Sequence, residues 1–228
     1  MKLAGVDGCS TGWVVASWHD NGHTAGVTIH LVKTFKEVVD AGYRVIAVDI
    51  PVGMPDKGVR DCDPQARKLL GPRRSSVFPA PIRPVLTAKD YSQACDIGRQ
   101  ADGRSLSQQA WAITKKVAEV DRMVTPDLQG SIIEIHPELC FWALNGGRPL
   151  EYPKKDYQGM EARRMLLKEH LLDPVVFYDL RLPGAGRDDI HDALAALWTA
   201  RRYAQGESVR IPEHEQRDAK GLRMEMWY

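Results

Sequence analysis

Carboxylates placed at the ends of β-branched apolar runs constrain this chain more than any other feature. Asp7 follows Leu3-Ala4-Gly5-Val6, Asp49 closes Val45-Ile46-Ala47-Val48, and Glu134 closes Ile132-Ile133. A further group, Asp188, Asp189 and Asp192, opens a late stretch rich in Ala and Leu. A buried strand rarely carries a carboxylate, because an unpaired buried charge is costly. Several carboxylates meeting at one sheet edge supply the hard oxygen donors that Mg²⁺ takes. The pattern points to phosphoryl chemistry.

The punctuation of the sequence sets an α/β order. Residues 2–7, 12–18 and 25–32 read as strands, with Asn21-Gly22 as a hairpin turn between the second and third. Thr34 caps a short helix over Phe35 to Asp40, and residues 44–50 form a buried fourth strand. Seven prolines then fall within 51–85, which reads as a long loop broken by a helix over Pro64 to Leu70. Helices are predicted over 87–101, 105–124, 137–144, 161–172 and 188–204, with a fifth strand at 131–136 and a last one in the tail, 222–228.

The bulk numbers exclude several classes. A length of 228 residues fits one domain, here taken as 1–228 with an insertion at 51–130. A net charge of +1 rules out a polycation, so any nucleic-acid surface must be a local patch. Cys9, Cys62, Cys95 and Cys140 lie too far apart in sequence for a Cys-x-x-Cys clip and read as reduced thiols of a cytoplasmic protein. The N-terminus lacks an apolar leader, and no run approaches the ~18 apolar residues of a membrane span.

Each acidic position has two readings. Asp7, before Gly8-Cys9-Ser10-Thr11-Gly12, either holds a metal or caps a hairpin turn. Asp49 lies before Pro51 at the carboxyl end of a strand, where ligands of open α/β sheets gather, or it caps the next turn. Asp188 and Asp192 are four apart, and Asp189 and Asp192 three apart, so either pair shares a helix face. Asp188 or Asp189 alone can be an N-cap; Asp192 cannot. His136 is a candidate ligand-contacting residue or a packed core histidine, and His191 a candidate proton carrier beside Asp192.

Between Lys57 and Arg83, seven basic side chains face only Asp61 and Asp63, a patch suited to phosphate backbones or a solvated loop. Arg60, Arg67, Arg73, Arg74, Ser75 and Ser76 are its candidate substrate contacts, joined by Gln109, Trp111, Lys116 and His136 further on.

Read in order, Gly5-Val6-Asp7-Gly8-Cys9, Val48-Asp49-Ile50-Pro51, Arg60-Asp61-Cys62-Asp63, Arg73-Arg74-Ser75-Ser76-Val77-Phe78-Pro79, Gln109 with Trp111, Lys116, Glu134-Ile135-His136-Pro137-Glu138 and Asp188-Asp189 with Asp192-Ala193 resemble the predicted RNase H-like nucleases of domain-of-unknown-function family 429. The first and last motifs are also similar, at fold level, to Holliday-junction resolvases. The chain departs from those in having Asp, not Glu, at the fourth strand, and in its long insertion.

The resemblance implies an α/β fold: an RNase H-like five-stranded mixed sheet flanked by helices, with a helical and loop insertion after the fourth strand. The first three strands are expected antiparallel, and the fourth and fifth parallel to the first. It implies a metal-dependent nuclease using Mg²⁺ or Mn²⁺ on nucleic acid. Asp7, Asp49, Asp189 and Asp192 are then catalytic, with Glu134 and Asp188 as further metal ligands. Two other functions fit the residues: a phosphotransferase of the actin-like type binding ATP at the Gly8 to Gly12 turn, and a non-catalytic binding module.

Overall fold

The computed structural model describes residues 1–20, 25–171 and 181–228. The Asn21-Gly22 turn and Leu172, the expected last residue of the 161–172 helix, lie outside the described residues.

Strands β1 (Lys2–Cys9), β2 (Gly12–Asp20), β3 (Ala25–Val32), β4 (Val45–Val48) and β5 (Ile132–Glu134) form one sheet in the order β3-β2-β1-β4-β5. The β1–β2 and β2–β3 pairs are antiparallel; β4 runs parallel to β1, and β5 parallel to β4. This is the expected five-stranded mixed sheet. β1, β2, β4 and β5 are mostly buried while the edge strand β3 is largely part-exposed, and the period of two sends alternate residues to opposite faces.

That alternation builds two cores. Leu3, Cys9, Val45, Ala47, Ile133 and Ile135 face one side, under α5 (Pro137–Leu144), α6 (Tyr157–His170) and α7 (Arg187–Gln205). Ala4, Val6, Ile46, Val48 and Ile132 face the other, under α1 (Phe35–Asp40) and α4 (Gln108–Met123). The insertion thus contributes part of the core: Val117, Val120 and Val124 cover the sheet. Its remaining elements are α2 (Cys62–Leu70), α3 (Tyr91–Asp102) and two short 3₁₀ turns at Gly71–Ser76 and Arg83–Thr87. Asp90 caps α3, so this helix starts later than the expected residue 87, which closes a 3₁₀ turn instead. Helix α6 starts at Tyr157, ahead of the expected 161.

The tail forms a small second sheet rather than a strand of its own length: β6 (Arg210–Ile211) pairs with β7 (Met226–Trp227), and Trp227 also bridges to Ile135.

One glycine sets the spacing between α7 and the sheet. A Cβ on Gly5 would lie 2.0 Å from the Leu197 backbone nitrogen and 2.1 Å from the Ala193 carbonyl oxygen. The run Ala193-Leu194-Ala195-Ala196 matches it with small side chains, so the helix backbone rests directly on β1. Gly5→Ala forces backbone against backbone, and overpacking of this kind costs about 3 kcal/mol or more. Urea denaturation should show a loss of at least that size, or no folded protein; near wild-type stability would contradict this packing.

Candidate functional site

The face that carries Leu3 and Val45 also carries Asp7 and Asp49, because each lies an even number of residues further along its strand. Helix α7, seated on Gly5, presents buried Asp192 to the same edge. The three carboxyls sense one another. Burial first, then Asp49, Asp192 and Asp189, pushes the Asp7 carboxyl well above the usual carboxylate range. Burial, then Asp192, raises Asp49 in the same way, and Asp7 hydrogen-bonds to it. Both carboxyls are therefore pushed toward their protonated forms, since two carboxylates side by side in a dry site resist ionising together. Burial lifts Asp192 to about 6 against the pull of Lys154.

Lys154 is the cation among these acids. Its ammonium donates to Asp192 Oδ2 at 2.7 Å and stands 3.7 Å from Asp188 Oδ2. Its pKa is raised, since Asp192, Asp49 and Asp188 outweigh its desolvation.

A cavity of about 320 Å³ opens at this edge. Asp49, Asp192 and Lys154 line one part of it, and Arg73, Ser76, Phe78 and His136 another. The basic loop therefore does face the acidic edge, through Arg73 and Ser76. The Arg73 guanidinium reaches Glu138 only at 3.7 Å, and its Nε has no partner among the described residues. His136 Nε2 lies 3.3 Å from the Ser76 carbonyl, which places the ring proton on Nε2 and leaves Nδ1 as an unpartnered acceptor among the described residues. Burial holds this imidazole below its ordinary value, so it is neutral near pH 7.

Other expected site residues have different work. Glu134 falls on the opposite parity from Ile133 and Ile135, and it is engaged by Arg60. Both Arg60 amino groups donate to it, at 2.6 and 2.8 Å, and the Val52 N–H donates at 2.6 Å. Arg60, 1% exposed, also grips Asp63 at 2.7 Å. In this arrangement Glu134 is the counter-ion of a buried arginine; both line the cavity, with their polar groups engaged by each other, by Asp63 and by the Val52 N–H.

Arg67 donates to the Val77 carbonyl, Arg74 and Ser75 lie exposed, and Gln109 is exposed outside the cavity. Trp111 packs on Tyr91 and against Ile82, Val85 and Ala94, because α4 turns that side toward the insertion. Lys116 donates to the Gly12 carbonyl and lies 4.3 Å over the Trp13 ring, pinning the β1–β2 turn. Asp189 accepts from the Gly186 N–H at 2.8 Å, a helix cap, while Asp188 stays at the rim beside Lys154. Burial, with Arg163, pushes His191 down to about 4. The Ser10 and Thr11 hydroxyls both donate to the Gly184 carbonyl, at 3.4 and 3.0 Å, which occupies the turn considered for ATP.

Lys154 and Phe78 were not singled out from sequence as site residues. Lys154 sits in an unremarkable Pro153-Lys154-Lys155-Asp156 segment, and only the fold brings it to Asp192.

As placed, no three His, Cys, Asp or Glu side chains among the described residues stand together as a ready metal cage. Also among the described residues, no helix is long and apolar enough to cross a membrane. The four cysteines are free and buried.

This is an α/β protein with a five-stranded mixed sheet and a carboxylate edge opening on a mixed-charge cavity. The family model described as Protein of unknown function (DUF429) matches residues 5–217, and the chain belongs to that family. No curated protein and no solved structure matches it.

Two outcomes test this assignment of roles. Glu134→Gln removes a charge from Arg60 while Asp63 remains, and should cost about 3 kcal/mol, as broken buried pairs do. The stabilisation of the variant by added Mg²⁺, read as a melting shift, should equal that of wild type; its loss would make Glu134 a metal ligand.

Asp7→Asn mimics the protonated acid at every pH. The raised folded value means that the stability contributed by Asp7 is fully present below its unfolded pKa, near 4, and is lost as pH rises through the folded one. In chelator, Asp7→Asn should therefore gain on wild type as pH increases from 5 to 8, by at most about 1.4 kcal/mol per unit. The buried histidines titrate alike in both proteins and drop out of the difference. Urea midpoints that fall together would contradict a repulsive cluster.

Proposed function

We propose that the protein is an RNase H-like, metal-dependent nuclease that hydrolyses phosphodiester bonds of nucleic acid, with Asp7, Asp49 and Asp192 as the residues that hold Mg²⁺ or Mn²⁺. The observation that carries this reading is the trio of buried carboxyls, all raised first by burial, with Asp49 and Asp192 raising Asp7 and Asp192 raising Asp49, beside a cavity that also carries Arg73 and Lys154. Such a cluster is destabilising unless it has a use, and strongly perturbed groups in a cleft mark functional sites. The donor set fits the ion: all oxygen, all carboxylate, and deficient in positive charge apart from Lys154. The Asp7, Asp49 and Asp192 side chains would have to rearrange, with Lys154 moving off Asp192, to complete the cage. A bound ion would supply activation of water and neutralisation of charge on the phosphoryl oxygens.

The chain's own residues supply the rest. Arg73 and Lys154 bring positive charge to the cavity where a phosphate would lie, and Arg73 is held there only by the 3.7 Å approach of Glu138. Neutral His136 lines the cavity, with Nε2 held on the Ser76 carbonyl and Nδ1 buried and unpartnered among the described residues. Asp188 and Asp189 add negative field at the rim and position the start of α7. The free, buried cysteines suit a cytoplasmic protein.

The test is a panel of labelled single-stranded and duplex DNA and RNA incubated with Mg²⁺ or Mn²⁺. Wild type should cleave at least one member, chelator should abolish cleavage, and Asp7→Asn should lower the rate more than about a hundredfold, beyond what loss of an outer-shell partner costs. Cleavage unchanged in Asp7→Asn would trace the activity to a contaminant or another site.

A further inference from the structure

Phe78 lines the same cavity, yet 40% of its surface is exposed. Hydrolysis as set out above makes no use of it. The backbone on both sides is fixed. Val77 is buried; its N–H donates to the Arg74 carbonyl at 3.3 Å, and its carbonyl accepts from Arg67. The Ala80 N–H donates to Asp63 Oδ2 at 3.0 Å, and Asp63 is locked to buried Arg60. The ring therefore stands at the cavity on a rigid support, the arrangement that makes aromatic contacts effective in binding. Ile113 and Pro79 add apolar wall beside it.

The same cavity holds Arg73. Its nearest acid, Glu138, is already hydrogen-bonded by Arg163. An exposed aromatic ring and a guanidinium held only by a 3.7 Å ion pair, in one cavity, match the two halves of a nucleotide, base and phosphate. A volume of about 320 Å³ is at the small end of the ~300–1,000 Å³ of ligand pockets, enough for one nucleotide and too small for a base pair.

We propose that this cavity takes one unpaired nucleotide of a single-stranded nucleic acid, its base stacked on Phe78 and its phosphate on Arg73. The proposal rests on the phosphodiester reading of the acidic edge and narrows its substrate to unpaired strands. Stacking on an aromatic face tolerates any base, so the preference is for single-strandedness rather than sequence.

The experiment is fluorescence anisotropy with full-length Asp7→Asn protein, which binds without cleaving. The probes are a thymidine strand, a uridine strand, a matched duplex and a fully abasic strand of the same length. The base-bearing strands should bind about 5- to 100-fold tighter than the abasic strand, the range expected of base–aromatic stacking. Adding Phe78→Ala should erase that ratio, and Phe78→Trp should keep it. Arg73→Gln should weaken base-bearing and abasic strands alike. The exposed ring makes Phe78→Ala a soluble, folded variant, checked by circular dichroism. A ratio that survives Phe78→Ala, duplex bound as tightly as single strand, or no binding to any strand overturns the proposal. Wild type that cleaves nothing, with the Phe78-dependent ratio intact, sinks the hydrolysis reading alone. Cleavage retained by wild type, with a ratio of one, sinks the stacking alone. The thymidine and uridine arms separate DNA from RNA.

Discussion

The close seating of α7 on Gly5 is the contact on which the rest of the site depends. With any side chain at that position the helix would stand off the sheet, and Asp192 would leave the neighbourhood of Asp7 and Asp49. The absence of a Cβ at one strand position is thus converted into a charge problem two residues later. Three carboxyls are gathered in a region too dry to let them ionise independently: burial raises all three, and Lys154 pairs with Asp192. A cation binding there displaces a proton rather than creating a new charge imbalance, which is why metal affinity at such sites rises with pH.

The second organising element is Arg60. A fully buried guanidinium is tolerated only when its donors are satisfied, and here Asp63, Glu134 and the Gly53 carbonyl do so. The consequence is mechanical. Glu134 ties Arg60 and the Val52 N–H to the end of β5, and Asp63 in turn holds the Ala80 N–H. The proline-rich loop is thereby fixed to the sheet, and Arg73, Ser76 and Phe78 are carried to the cavity on a stiff support. Arg83, bonded to Asp121 and Asp218, ties the same loop to α4 and to the tail.

Much of the fold was legible because the signals were local. β-branched runs gave the five strands, and Thr34 capped its helix as expected, with Glu37 completing a capping box that the structure adds. The strand-end position of Asp49 and the helix position of Asp192 were readable for the same reason, whereas Asp7, expected to end its strand, lies inside β1, which continues through Gly8 and Cys9. What the sequence did not resolve were choices settled by distant partners. Glu134 and Asp49 both read as strand-end carboxylates, but the register pairs Glu134 with Val48, one residue before Asp49, and Arg60 arrives from the loop to bind it. Asp189 and Asp192 share a helix face, but the first turn takes Asp189 for the Gly186 N–H. Of seven basic residues in the loop region, the three-dimensional course of 71–80 alone decides that Arg73 enters the cavity while Arg74 stays in solvent. Lys154 carried no local mark at all.

The account stands or falls on whether the carboxylate edge takes a divalent ion. Crystals grown or soaked with Mn²⁺ offer the most direct measurement, through anomalous difference density. The account predicts density bounded by Asp7, Asp49 and Asp192, with the Lys154 ammonium moved off Asp192 from its present 2.7 Å. Crystals saturated with Mn²⁺ that show no density at this edge, with Lys154 still paired to Asp192, would contradict it.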